Sequence, residues 1–189
     1  MEKKNKGIVL RILMAICFLW LPVNGAMNFI SGKIYESGDI LATVVGALPF
    51  IAGVFIVIGA LLGSRILIGL GSVIYVLQAG YSIYVYVMQM LQDLPDEAKK
   101  SFRGLILVTA LMLVAFLFLA LACFIKRSDL AWCIFAAAVF VAWFFVRRSQ
   151  LAADASQLPL ILTAAGSVLG SIITALFFAI RRNNNKKEA

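Results

Sequence analysis

The chain has 189 residues, 63% of them hydrophobic and only 14% charged. Soluble domains run at about 45–50% apolar and about 25% charged, so this composition excludes an ordinary water-soluble fold and points to a polytopic membrane protein. The net charge of +8 does not imply a nucleic-acid partner, because its placement along the chain follows a membrane topology.

In chain order, Lys3, Lys4 and Lys6 form a basic head. The apolar run 8–30 follows without an A-x-A-like cleavage site and is read as a retained first span rather than a signal peptide. Arg11 lies near its end and snorkels to the interface. Pro22, with Asn24, Gly25 and Asn28, interrupts the outer half and predicts a kink there. After a polar loop at 31–39, the run Ile40–Leu62 has 23 residues and no charge. At about 1.5 Å per residue it reaches roughly 34 Å, enough to cross a ~30 Å hydrocarbon core. The spacings Ala42-x-x-x-Gly46 and Gly59-x-x-x-Gly63 suit close helix approach, which makes Gly59 and Gly63 expected packing positions.

The third span, 66–91, is the least apolar. Tyr75, Gln78, Ser82 and Gln89 lie close to one helical face. An amide in lipid leaves donors and acceptors unmet at several kcal/mol per group, so this stripe is expected to face the interior. It either bonds to Asn24 and Asn28 of the first span or to Thr163, Ser167 and Thr174 of the last, or it lines a small polar cavity for water or a neutral ligand. The loop at 92–103 is hydrophilic, and Pro95-Asp96-Glu97 predicts a short interfacial helical turn. A fourth span at 104–125 and a tight turn at 126–129 lead to a fifth, 130–146, with Trp132 and Trp143 as expected interface anchors. The sixth, 158–180, carries a small, hydroxylated stripe of Thr163, Ser167, Gly170 and Thr174, with Ser167 and Gly170 expected in helix packing. In the tail 181–189, the helix is expected to end before residues 183–185.

These elements predict an all-α, single-domain integral membrane protein over residues 1–189, with six transmembrane helices paired as three hairpins. If both termini are cytoplasmic, segments 1–11, 63–65, 126–129 and 181–189 lie inside. They hold eleven of the 17 basic residues and three of the nine acidic ones, while the outer loops hold six of each. That is the positive-inside pattern, N-in and C-in, with Arg147 and Arg148 as the exception. The expected partners are the lipid bilayer and anionic lipids at the basic cytoplasmic face.

Catalytic chemistry finds little to use. The chain has no histidine, and no charged residue is expected deep in a span, where proton relays and ion-coupled transporters place theirs. Cys17, Cys123 and Cys133 fall in apolar runs without a C-x-x-C spacing, so reduced, buried thiols are expected rather than a disulfide or zinc site. Gly69-Leu70-Gly71 lacks the strand and lysine of a phosphate cradle. The reading is therefore a non-enzyme, with no catalytic residues, metal or cofactor.

Residues 37–65 resemble the first-hairpin segment of the HdeD-type acid-resistance membrane proteins. The resemblance rests on Ser37-Gly38-Asp39-Ile40-Leu41 entering the helix, Thr43-Val44-Val45-Gly46-Ala47-Leu48 within it, and Ser64-Arg65 at its exit. It implies a multi-pass protein of the bacterial inner membrane, six helices in three hairpins, and a role in stress or acid tolerance. It brings no catalytic residues. Two other readings stand beside it. One is the substrate-binding integral subunit of a vitamin-type transporter, although such subunits dock through an Ala-x-x-x-Ala face on the first helix and here Ala15 and Ala26 are eleven apart. The other is an accessory subunit of a larger membrane complex. A homo-oligomer or a membrane-protein partner is consistent with each.

Overall fold

An apolar chain in lipid has no water to satisfy its backbone, so every N–H and C=O must pair within the segment, and helices result. A computed structural model describes residues 2–31, 40–92, 95–125, 128–151 and 156–185. Among these the secondary structure is helical: α1 Glu2–Phe18, α2 Trp20–Ser31, α3 Ile40–Leu62, α4 Arg65–Met90, α5 Asp96–Phe124, α6 Asp129–Ser149 and α7 Leu158–Asn185. With α1 and α2 taken as one continuous stretch, six helical segments are long and apolar enough to cross a membrane. The chain is a multi-pass membrane protein.

The first span breaks at Leu19, one turn before the proline expected to kink it. Pro22 has no N–H for the Phe18 carbonyl, and its ring crowds that carbonyl, so the ladder fails on the N-terminal side. The chain tightens there: Leu19 N–H donates to the Ile16 carbonyl at 3.2 Å, and Val23 N–H to Leu19 at 3.4 Å. Beyond the break, α2 crosses α3 at backbone contact. A Cβ on Gly25 would lie 2.5 Å from the Phe50 nitrogen, and one on Gly53 would lie 2.4 Å from the nitrogen of Pro22.

The α3–α4 turn needs only Gly63 and Ser64. Gly63 has φ +66°, the left-handed conformation that favours glycine after a helix. Its N–H donates to Ala60 and that of Ser64 to Gly59, at 3.1 and 2.8 Å. The Ser64 hydroxyl then caps α4, accepting from Leu67 N–H at 3.4 Å.

Three expected boundaries shift. The short turn predicted after Pro95 is the first part of a 29-residue helix, with Asp96 and Glu97 in its first turn, where acidic side chains favour the N-terminal dipole. Helix α6 continues past 146 to include Arg147 and Arg148 in its last turn, where cations suit the C-terminal dipole. Helix α7 runs on through Asn183–Asn185. Asparagine costs only a fraction of a kcal/mol per helical position (about 0.7 at most), and Arg181 and Arg182 anchor this last segment through tertiary bonds. Both tryptophans of the fifth span pack within the fold. Trp143 is buried, and Trp132 is half-buried against Phe118, with ring centroids 5.5 Å apart.

From α2 onward each helix packs on the next, and α7 packs back on α1, which also touches α3. The seven helices thus close a ring. Phe18, Phe116, Phe140 and Phe178 are fully enclosed inside it, while Ile16, Met27, Leu77, Phe145 and Leu176 lie exposed on its outside. So much outward apolar surface fits lipid, and in water it would drive aggregation.

Candidate functional site

The polar stripe of the third span comes together only in part. Tyr75 stacks on Phe116 of α5, centroids 4.2 Å apart. Gln78 donates its amide to the Ser82 hydroxyl at 2.9 Å. Gln78, Ser82 and Gln89 are half-buried, whereas Asn24 and Asn28 are exposed on α2, which packs on α3. The expected bonds from Gln78 to the first or last span are replaced by one within α4. The i, i+4 spacing lets amide and hydroxyl meet without any tertiary approach.

The hydroxylated stripe of α7 packs rather than lining an opening. Ser167 donates to the Thr163 carbonyl at 2.7 Å, Ser171 to Ser167 at 2.9 Å and Thr174 to Gly170 at 2.7 Å. These hydroxyls bond their own helix and leave an almost flat surface for α1. A Cβ on Gly170 would sit 2.8 Å from the Phe18 ring, and one on Gly166 2.6 Å from the Cys17 carbonyl. The Thr174 hydroxyl is also 3.0 Å from the Met14 sulfur. Gly59 packs as closely on the start of α4, where a Cβ would lie 2.7 Å from the Ile68 nitrogen.

The charged constellation forms at one end of the ring, from residues that look like ordinary turn positions in the sequence. Asp129 opens α6, and its side chain is only 1% exposed. Arg65, the first residue of α4, donates to Asp129 Oδ2 at 2.8 Å, and Leu130 N–H donates to Oδ1 at 2.8 Å. Arg182, near the end of α7, reaches Oδ1 at 3.4 Å. The Arg65 guanidinium also lies over the Phe178 ring, 3.8 Å from its centroid, an arrangement that suits a partly desolvated cation. Arg181 donates to the Gly63 carbonyl at 3.0 Å. Arg11 completes the group from α1, 5.4 Å from the Phe177 centroid and pressed against Gly63.

Two guanidinium groups therefore hold the carboxylate, and two more, Arg11 and Arg181, meet at the adjoining Gly63. A buried carboxylate is tolerable only when paired and hydrogen-bonded, and Asp129 is both. The surplus is positive: Arg11 Nε and Arg65 Nη1 are buried and have no acceptor. Such a site can hold an anion. Among the described residues, no three His, Cys, Asp or Glu side chains gather as metal ligands. Arg65 and Asp129 are 64 positions apart, so no local motif announces the pair. The one available signal is that Asp129 is the lone acidic residue in the two basic turns between spans. At the far end of α6, about 30 Å away for a helix of 21 residues, a shallow cleft includes Glu97, Lys100, Arg147 and Gln150. There Gln150 donates to the Gly104 carbonyl at 3.1 Å.

Compared with known protein families, curated proteins and solved structures, the chain matches none.

Proposed function

We propose that this protein is a non-enzymatic, multi-pass protein of the bacterial cytoplasmic membrane that acts in acid or stress tolerance. In this reading its six spans form three hairpins, and both chain ends lie in the cytoplasm. The resemblance of residues 37–65 to the HdeD-type proteins motivates the physiological part. The observation that carries the topology is the meeting of Arg11, Gly63, Arg65, Asp129, Arg181 and Arg182 at one end of the ring. These residues come from all four segments that the charge pattern assigns to the inside, and a cationic end favours the cytoplasmic face. The non-enzymatic part is supported by the polar groups themselves. The hydroxyls of α7 bond their own helix, and Asp129 is taken up by arginines.

Topology reporters fused after residues 35, 94 and 152 should all read the outer side. A cytoplasmic signal at 152 would overturn the last hairpin. For the physiological role, a strain lacking the protein should survive acid shock less well than its parent and recover when the intact chain is restored. Unchanged survival, together with co-purification of ATPases from native membranes, would replace this reading with a transporter subunit.

A further inference from the structure

We infer that the arginine cluster around Asp129 is a binding site for the phosphate of an anionic phospholipid headgroup. The inference rests on the chain spanning a membrane and is independent of which side the cluster faces.

The argument starts from the shortage of acceptors. Each guanidinium carries five N–H donors, so the four present about twenty in all. Against these, the contacts of the cluster supply the Asp129 carboxylate and the Gly63 carbonyl. The carboxylate already accepts from Leu130 N–H as well. Arg11 Nε and Arg65 Nη1 are left enclosed without an acceptor, and a buried donor left without a partner is costly, the more so when charged. The net charge of the five side chains is +3. A phosphate group answers the charge surplus, and its oxygens accept several bonds at once and match the guanidinium forks that Arg181 and Arg182 leave exposed.

The placement selects the lipid form of phosphate. Arg65 is held by Asp129 and by the Phe178 face and is 15% exposed, so it is oriented before a ligand arrives. Arg181 and Arg182 lie exposed at the rim, Arg182 at 42%, and can close on a headgroup. Leu62, Ile66 and Ile180, the chain neighbours of Gly63, Arg65 and Arg181, expose apolar side chains at this end of the ring. The acyl chains of a lipid whose phosphate sits in the cluster would lie on that surface. A free anion gains nothing there.

The test follows thermal unfolding of the full-length protein in an uncharged detergent, with added short-chain phosphatidylglycerol, short-chain phosphatidylcholine or inorganic phosphate. The expected result is a saturable rise in midpoint with phosphatidylglycerol and a much smaller one with the other two. The double variant Arg11→Gln/Arg182→Gln leaves the Arg65–Asp129 pair in place, and its apparent Kd for phosphatidylglycerol should rise at least tenfold. Arg147→Gln/Arg148→Gln removes the same charge from the other end of α6 and should leave that Kd unchanged. If the double variant does not fold, Arg182→Gln alone should still weaken binding severalfold. Equal stabilisation by phosphatidylcholine, or equal weakening by the control variant, overturns the site. Saturation by inorganic phosphate alone, as strong as by the lipid, overturns the assignment to a lipid headgroup. Reporter fusions that fail while these titrations succeed would overturn the proposed orientation and leave the site intact.

Discussion

Asp129 and Arg182 share one ion pair but differ in surroundings, and the difference predicts different consequences. The Asp129 side chain is 1% exposed, and it takes Arg65, Arg182 and the Leu130 N–H. Replacing it strands Arg65 in a nearly closed site, and breaking a buried pair costs about 3–5 kcal/mol. Asp129→Ala is expected near the lower end, because Arg65 retains some access to solvent. Arg182 is 42% exposed and its contact is longer, so Arg182→Gln should cost under about 1 kcal/mol. Thermal unfolding in detergent measures both, and equal losses would contradict the burial difference. Gln78 makes the complementary case. Its bond to Ser82 lies within one helix, a type of pair worth about 0.2–0.5 kcal/mol. Gln78→Leu should therefore change stability by no more than about 0.5 kcal/mol, and a loss above about 2 kcal/mol would reveal a tertiary partner for the amide.

Between elements, glycines decide how near two helices come. In the α2–α3 crossing, Gly25 faces the backbone at Pro49–Phe50, and Gly53 faces Pro22. Lipid supplies no hydrophobic drive for helix association, so such contacts rest on van der Waals packing of close backbones. A methyl group on Gly53 would be 2.4 Å from the Pro22 nitrogen, and no flexible side chain can move aside. Gly53→Ala is expected to cost about 1–3 kcal/mol, the usual penalty of overpacking. Gly80 is the control. Its Cβ would meet only Leu113 Cδ1 at 3.9 Å, so Gly80→Ala should be neutral or stabilising by up to about 1 kcal/mol through helix propensity. Unfolding midpoints that move in the same direction for both variants would show that contact at α2–α3 is not what holds those helices.

For the whole molecule, the ring closes where sequence separation is largest. Met14 and Thr174 meet 160 positions apart, and the α1–α7 seam they belong to leaves no unpaired first or last helix. The Asp129 cluster ties α4, α6 and α7 together at one end of that ring. Composition and apolar run length were enough to indicate an all-helical membrane chain and to place its six spans, because a helix in lipid must satisfy its own backbone whatever its neighbours are. The spacing Gly59-x-x-x-Gly63 suggests two packing positions on one helix face, but Gly63 lies beyond the end of α3 and makes the turn into α4. Helix ends were less legible: α5 starts early and α7 ends late, since the dipole and the tertiary anchors of Arg181 and Arg182 outweigh local propensity. The candidate site could not be read from the chain. Arg65, Asp129 and Arg182 sit in separate turns and tails that look solvated one at a time, and only the closed ring brings them together. Burial gives the carboxylate its arginine partners, and the surplus of guanidinium over carboxylate exists only in three dimensions.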